Sequence, residues 1–298
     1  RNTHTRLPDC RWQDRPMLAE WSKGVLNPLN VGRMGQRKDQ ANWRDPLAEA
    51  IVMVHGVNCG GWCFETFKPV FEARGFECFA PDLVGHGADK ANGIEKLTGV
   101  GIADYLAQMR DLIAQLPRKP VLLGHSMGAV IAQQLAAEGL AEKLVLVSPA
   151  PRAGILPPSS PEKQLGQDLM SLGPFWTRAF EPNFEIACDI SLNRLSPERQ
   201  RKVFESFGPE SGQALFELFF WMFDQTRATV VDTQATRCPV LTLSGSGRDD
   251  RVVSVEAAKA TADAYPGSPF WVLEDHAHMV VVEDGADKIA IRIADWLG

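Results

Sequence analysis

Residues 124–128 read GHSMG, a serine with a glycine two positions away on each side. An apolar, strand-like run precedes the serine and an alanine-rich, helix-like run follows it. A serine in such a sharp strand-to-helix turn projects its hydroxyl out of the sheet, and residues larger than glycine would collide two positions away. The turn also puts the Met127 N–H at a helix N-terminus, where it can stabilise an oxyanion. The pattern therefore predicts that Ser126 is a catalytic nucleophile.

A serine hydroxyl is a weak nucleophile at neutral pH, so this chemistry needs a base that accepts its proton. Histidine is the usual base, and the sequence holds six. His4 lies in an irregular segment. Three others lie in predicted turns, where a structural role is expected: His55, His86 and His125. The candidates that remain are His276 and His278, in the loop after the last predicted strand.

Apolar runs typical of buried strands alternate with helix-like segments over much of the chain. The predicted strands are residues 51–54, 76–80, 120–124, 143–147, 239–243 and 270–273. The predicted helices are residues 64–74, 99–115, 128–138, 255–264 and 285–296. This alternation predicts an α/β fold, a mainly parallel twisted sheet with helices on both faces. Ligands of such sheets bind beyond the carboxyl ends of the strands, where Ser126 and the two late histidines are expected.

The alternation stops at residues 150–235, which are rich in proline, aromatic residues and helical runs. We interpret this segment as a helical cap inserted into an α/β core formed by residues 45–149 and 236–298. Residues 1–44 carry several prolines and glycines without a long apolar period. They are expected to form an N-terminal arm or to hold one or two edge strands.

Within the cap, residues 212–226 are predicted to form a helix that is apolar on nearly all sides. One face of such a helix can pack on other cap helices, and another can face the active site. The aromatic residues of this segment, with one earlier tryptophan, are candidates for a hydrophobic substrate pocket: Trp176, Phe216, Phe219, Phe220 and Phe223. Plain packing within the cap is the alternative.

Three segments together resemble the α/β-hydrolase superfamily. Residues 124–128 match its nucleophile elbow, residues 55–58 (HGVN) its oxyanion loop, and residues 81–87 (PDLVGHG) its D-x-x-G-x-G turn. The resemblance extends from about Ala50 to the C-terminus. The stretch from His55 to Gly87 is also similar to plant methylesterases and hydroxynitrile lyases.

The resemblance implies roles for further residues. The residue after "HG", Val57, would be the second oxyanion donor through its backbone N–H. His278 would be the base, because a short apolar stretch and a glutamate follow it, as in family members. Asp250 would be the carboxylate partner, since residues 244–253 are similar to the family's acid loop, with Asp249 as the alternative.

The expected function is that of a serine hydrolase, which cleaves a carboxylic ester of a small, largely hydrophobic substrate through an acyl-enzyme. Three alternatives remain on the same fold: a carbon–carbon bond hydrolase, a hydroxynitrile lyase and a non-catalytic ligand receptor. A serine at the nucleophile position argues against epoxide hydrolase or haloalkane dehalogenase chemistry, which uses an aspartate there. The serine mechanism needs no metal or organic cofactor, and the sequence holds no motif for one.

The composition argues against several classes of binding partner. The net charge is −6 with no basic patch, so nucleic-acid binding is not expected. No uninterrupted apolar run is long enough for a membrane span. The six cysteines do not have the spacing of a disulfide framework or a zinc site, and we expect small buried hydrophobes in a reducing, cytoplasmic setting. Because the chain begins with Arg1, a removed signal peptide stays an alternative.

Overall fold

The structure, a computed structural model, describes residues 49–246 and 249–298. The expectations for residues 1–44 lie outside these ranges. Alternating strands and helices form the described chain, and the strands that carry the candidate site residues belong to one sheet.

The described residues contain a six-stranded sheet. Its strands are β1 (Ala50–Val54), β2 (Glu77–Phe79), β3 (Val121–His125), β4 (Lys143–Val147), β7 (Val240–Gly245) and β8 (Phe270–Leu273). Their order across the sheet is β2-β1-β3-β4-β7-β8, and all neighbouring strands are parallel. The cap segment, residues 150–235, adds a two-stranded antiparallel ribbon of β5 (Ala179–Phe180) and β6 (Glu210–Ser211).

The helices of the core are α1 (Lys68–Glu72), α2 (Gly93–Leu97), α3 (Ile102–Ile113), α4 (Met127–Ala137), α9 (Val255–Asp263) and α10 (Ala286–Leu297). The cap segment carries α5 (Ser160–Ser171), α6 (Phe184–Ile190), α7 (Pro197–Ser206) and α8 (Gly212–Phe219). Short 3-10 helices of the described residues span Gly61–Phe64, Gly87–Asn92 and Phe175–Thr177.

The sheet is covered by helices on both faces, and its strand residues alternate between two apolar clusters. Ile51 and Met53 of β1 point into a cluster that includes Phe71 of α1 and Ile293 of α10. Val52 and Val54 point into the opposite cluster, which includes residues of α3 and α4. The α/β fold with a parallel sheet, predicted from the alternation of apolar runs, is confirmed.

Two predicted helices are wrong in extent. Residues 64–74 contain only the short helix α1, preceded by 3-10 turns such as Phe67 N–H to the Phe64 carbonyl. The predicted helix over 212–226 ends as α8 at Phe219. Beyond Phe219 the chain forms turns: the Phe223 N–H donates to the Phe220 carbonyl, and the Asp224 carboxylate accepts hydrogen bonds from the N–H groups of Thr226 and Ala228.

The cysteines are less buried than expected. Cys59 and Cys63 are buried as free thiols, but the other three in the described chain are only half-buried: Cys78, Cys188 and Cys238. Burial raises the pKa of the Cys78 thiol to about 12, so this thiol stays protonated at neutral pH. In the described part of the chain, no helix combines the length and the apolarity needed to cross a membrane.

The close approach of α4 to the sheet depends on two glycines. A Cβ on Gly128 would lie 2.1 Å from the carbonyl oxygen of Val54 in β1, and one on Gly124 would lie 2.4 Å from the Gly128 carbonyl oxygen. Both contacts are to backbone, which cannot move aside without shifting a strand or a helix.

We predict that Gly128→Ala lowers the free energy of unfolding by about 3 kcal/mol or more, because its Cβ overlaps the β1 backbone. Gly139→Ala is the matched control at the other end of α4, where a Cβ meets nothing within 4 Å and only the positive φ of 76° opposes alanine. That variant should lose about 1 kcal/mol. Urea unfolding measures both values, and equal losses would contradict the packing argument.

Candidate active site

Ser126 occupies the tight turn between β3 and α4 with φ 53° and ψ −119°, values that a non-glycine residue rarely adopts. Backbone hydrogen bonds hold it there: its N–H donates to the Val147 carbonyl, and its carbonyl accepts from the N–H groups of Ala129 and Ala150. A Cβ on Gly56 would lie 2.8 Å from the Ser126 Cβ. The loop after β1 therefore lies directly against the serine.

His278 lies between Ser126 and a carboxylate. Its Nε2 is 3.0 Å from the Ser126 Oγ, and its Nδ1 is 3.2 Å from Asp250 Oδ2. All three residues are buried, with about one twentieth of their surface exposed. The three residues predicted as nucleophile, base and acid therefore lie together in a hydrogen-bonded chain, a geometry in which the imidazole can accept the serine proton.

The Asp250 carboxylate is held by its own loop. Its Oδ1 accepts hydrogen bonds from the N–H groups of Val252 and Val253, which leaves Oδ2 for His278. Asp249, the alternative acid, points elsewhere and binds the Arg194 guanidinium at 2.8 Å. Of the two neighbouring aspartates, Asp250 is the one that contacts the histidine.

Glu283 supports the loop that carries His278. Its two oxygens accept hydrogen bonds from the Ala277 N–H at 2.8 Å and the Met279 N–H at 3.1 Å, one on each side of the histidine. Burial raises the pKa of Glu283 to about 7. In the sequence this glutamate is visible only as part of the pattern after His278. The signal for its role is its position, five residues after the histidine and just before the last helix.

The two predicted oxyanion donors are backbone N–H groups with no other partner. No hydrogen bond among the described residues uses the N–H of Val57 or of Met127. Val57 follows Gly56, which lies against Ser126, and Met127 begins α4. Two free donors on either side of the serine can bind an oxygen that becomes negatively charged.

His55 holds the loop before Val57, which agrees with its predicted structural role. Its Nδ1 donates to the Gly56 carbonyl, and its Nε2 accepts from the Leu83 N–H, so the ring is neutral. Burial, reinforced by the charge of His86 beside it, lowers the pKa of His55 to about 4.

His125 and His276 contact neither the serine hydroxyl nor the acid through a hydrogen bond. His125 donates from Nε2 to the His278 carbonyl, and burial with the neighbouring His278 lowers its pKa to about 3. His276 is also buried, and its carbonyl accepts from the Ser246 N–H. Of the two late histidines, His278 is the one beside Ser126.

The predicted pocket aromatics divide into three groups. Trp176, Phe216 and Phe220 surround the buried Phe175, with ring centroids 5.2–6.3 Å apart. Phe219 packs against the same apolar cluster as Val57 and Met127. Phe223 follows the end of α8 and is 69% exposed, so its predicted place on an enclosed helix is wrong.

Comparison with known proteins identifies the family. The sequence profile of the alpha/beta hydrolase family matches residues 51–292. This match covers most of the chain, and the chain therefore belongs to the alpha/beta hydrolase family. The resemblance found from the elbow, oxyanion-loop and turn motifs is confirmed.

Individual relatives fall within this family. The pyrethroid hydrolase of Sphingobium wenxiniae is 27% identical over 261 residues, which cover 83% of this chain and 86% of that protein. Methylesterase 3 of Arabidopsis thaliana is 35% identical over 82 residues, or 27% of this chain and 30% of that protein. The crystal structure of tomato methylketone synthase I with 2-tridecanone has a TM-score of 0.66 at 14% identity, over 84% of this chain and 98% of that chain. That last likeness shows the fold alone.

The lowered pKa of His125 predicts a pH-dependent stability. Between pH 4.5 and 5.5 residue 125 is protonated in the unfolded chain and neutral in the folded chain, because burial lowers its folded pKa to about 3. The unfolded state then binds one more proton, so stability falls as pH falls, by about 1.4 kcal/mol per pH unit. His125→Asn removes this proton. The slope of the unfolding free energy against pH, measured by urea unfolding, should be smaller in the variant by that amount. Equal slopes in the variant and the unmodified protein would refute this prediction.

Proposed function

We propose that the chain is a serine hydrolase that cleaves carboxylic esters through an acyl-enzyme, with Ser126, His278 and Asp250 as its catalytic triad. The observation that carries the proposal is the 3.0 Å distance between Ser126 Oγ and His278 Nε2, continued by the contact of Nδ1 with Asp250. The relatives support the ester as the substrate class, since they include a pyrethroid hydrolase and methylesterases.

In the first half of the reaction, Ser126 Oγ attacks the carbonyl carbon while its proton passes to His278 Nε2. The carbonyl oxygen becomes an oxyanion that the N–H groups of Val57 and Met127 bind; loss of one such donor typically costs about 3 kcal/mol of transition-state stabilisation. Asp250 stabilises the imidazolium through Nδ1. The tetrahedral intermediate then collapses, and the alkoxide leaves with the proton from Nε2.

In the second half, a water molecule attacks the acyl carbon of the ester on Ser126. His278 Nε2 accepts one proton of this water and returns it to Ser126 Oγ when the acyl bond breaks. The products are a carboxylic acid and the regenerated serine. All steps use the same imidazole, which explains why its loop is held on both sides by Glu283.

The substrate is proposed to be small and largely hydrophobic. Phe219 supports this, because it packs against the same apolar cluster as Val57 and Met127, the two proposed oxyanion residues. Trp176, Phe216 and Phe220 extend the apolar surface of the cap segment around Phe175. Pockets that take small apolar ligands are lined in this way, with few polar groups.

Ser126→Ala tests the nucleophile. The variant should lose at least about 10³-fold in kcat toward p-nitrophenyl esters, because no other described oxygen nucleophile is hydrogen-bonded to His278 Nε2. A fluorophosphonate probe should label the unmodified protein and leave the variant unlabelled, while the thermal unfolding temperatures of the two stay similar. Full ester turnover by the variant would end the proposal. Cyanohydrin and diketone substrates assayed alongside would detect lyase or carbon–carbon hydrolase activity.

Asp250→Asn and Asp249→Asn form a matched pair. In Asp250→Asn the amide oxygen can keep the hydrogen bonds from Val252 and Val253, so the amide NH₂ group faces His278 and favours the wrong tautomer. We expect kcat for a p-nitrophenyl ester to fall about 10⁴-fold in this variant. Asp249→Asn should change kcat less than about 10-fold, because that side chain binds Arg194. Steady-state kinetics of both variants decide, and similar losses would count against Asp250 as the acid.

A further inference from the structure

Glu210, in strand β6 of the cap segment, is a carboxylate that the mechanism above does not use. It is 1% exposed, a place where an unpaired carboxylate would be unfavourable. Its two oxygens accept hydrogen bonds of 2.8–3.1 Å from four donors: the Asn58 N–H, the His86 Nε2, the Tyr105 hydroxyl and the Ser211 N–H. Three of these donors belong to the core, so Glu210 joins the cap segment to the core.

One of the donors lies beside the oxyanion position. Asn58 directly follows Val57 and has a left-handed backbone with φ 60°. Besides the bond to Glu210, its carbonyl accepts from the Gly208 N–H at 2.9 Å, and its Nδ2 donates to the Gly208 carbonyl at 2.8 Å. Three hydrogen bonds from residues 208–210 therefore hold this one residue of the loop after β1. The strained conformation of Asn58 persists because its surroundings hold it.

The carboxylate of Glu210 is ionised in this setting. His86 donates from Nδ1 to the Val84 carbonyl and from Nε2 to Glu210, so both ring nitrogens carry protons. Burial alone would raise the pKa of Glu210, but the charge of His86 and the hydrogen bonds from His86, Ser211 and Tyr105 outweigh it and lower the pKa. Hydrogen bonds to an ionised acceptor are stronger than those between neutral groups, and the Asn58 N–H donates one of them to Glu210.

We propose that Glu210 is a positioning residue of the active site: through the Asn58 N–H, its buried carboxylate keeps the neighbouring Val57 N–H aimed at the oxyanion. This inference rests on the proposed function, because the aim of Val57 matters for the rate only if its N–H binds the oxyanion. It makes the cap segment a part of the catalytic apparatus, in addition to any contact with substrate.

Glu217 offers a matched control. It lies in α8, is 4% exposed, and also joins the cap segment to the core, since its carboxylate accepts from the Ile102 N–H at 2.7 Å. Its core partner begins α3 and is not part of the loop after β1. Glu217→Gln therefore weakens the attachment of the cap without touching Asn58, whereas Glu210→Gln affects both.

The experiment compares Glu210→Gln with Glu217→Gln in the full chain, with a p-nitrophenyl ester, at a temperature well below unfolding of either variant. The amide NH₂ that Glu210→Gln introduces cannot accept a hydrogen bond, so a donor of the network loses its partner. We expect kcat to fall about 10- to 100-fold with KM changed less than about 3-fold for Glu210→Gln, because the transition state uses the oxyanion donors most. Glu217→Gln should stay within about 3-fold in both constants. Equal kcat losses in the two variants would overturn the inference.

A second variant covers the case in which Glu210→Gln does not fold. Asn58→Gly accepts the left-handed backbone and removes the side-chain bond to Gly208, so it loosens the same loop from the other side. It should also lower kcat, by about 10-fold, with KM nearly unchanged. A variant with the kcat of the unmodified protein would contradict the idea that the clamp on Asn58 sets the rate.

Amide hydrogen exchange separates this inference from the proposed function. In Glu210→Gln, exchange of a peptide that contains Val57 and Asn58 should be faster than in Glu217→Gln, whether or not esters are turned over. If the unmodified protein neither cleaves esters nor reacts with a fluorophosphonate, the proposed function fails. If it does both and the exchange of this peptide is the same in the two variants, the positioning role of Glu210 fails alone.

Discussion

The hydrogen bond between Ser126 Oγ and His278 Nε2 lies where four separate stretches of chain come together, and the rest of the structure positions these stretches. The serine is delivered by the β3–α4 turn, the histidine by the loop after β8, and the acid by the loop after β7. The loop after β1 closes against the serine. Parallel strands end at one edge of the sheet, so a single sheet brings all four loops to one place. Each of the three proposed triad residues lies in a loop that follows a strand, not within a strand.

Loops need internal support, because they lack the ladder of hydrogen bonds that holds a strand. Here the same interaction recurs in several loops: one carboxylate accepts hydrogen bonds from two backbone N–H groups. Asp82 binds those of Gly61 and Ala88, and Asp250 binds those of Val252 and Val253. Glu283 clasps the residues on both sides of His278, and Glu210 binds the N–H groups of Asn58 and Ser211. Each of these carboxylates fixes a loop beside the serine or a loop that packs on one.

Local patterns predicted much of this. The strands β4 and β8 agree with their predicted bounds. The nucleophile elbow could be found from local sequence, because the two glycines that the tight turn requires lie only two residues from Ser126. The role of Glu210 could not be predicted, since its partners Tyr105, His86 and Asn58 lie 105, 124 and 152 residues away. The end of α8 was missed for another reason. The apolar spacing continues to Phe223, but the chain after Phe219 forms turns, such as that of the Phe223 N–H with the Phe220 carbonyl, and these leave the apolar spacing unchanged.

These carboxylates differ in whether they lie in the core or in the cap segment. Asp250 and Glu283 bind backbone N–H groups of their own loops, and the acid loop is also joined to the cap segment, through Asp249 with Arg194 and Ser254 with Glu162. The loop after β1 differs in the origin of its supporting carboxylate, because Glu210 belongs to the cap segment and holds Asn58 together with Gly208. A change at Gly208 or Glu210 would therefore act on Val57, the proposed oxyanion donor, through Asn58. Because the proposed substrate pocket and Glu210 lie in the same segment, we expect substitutions there to change specificity and rate together.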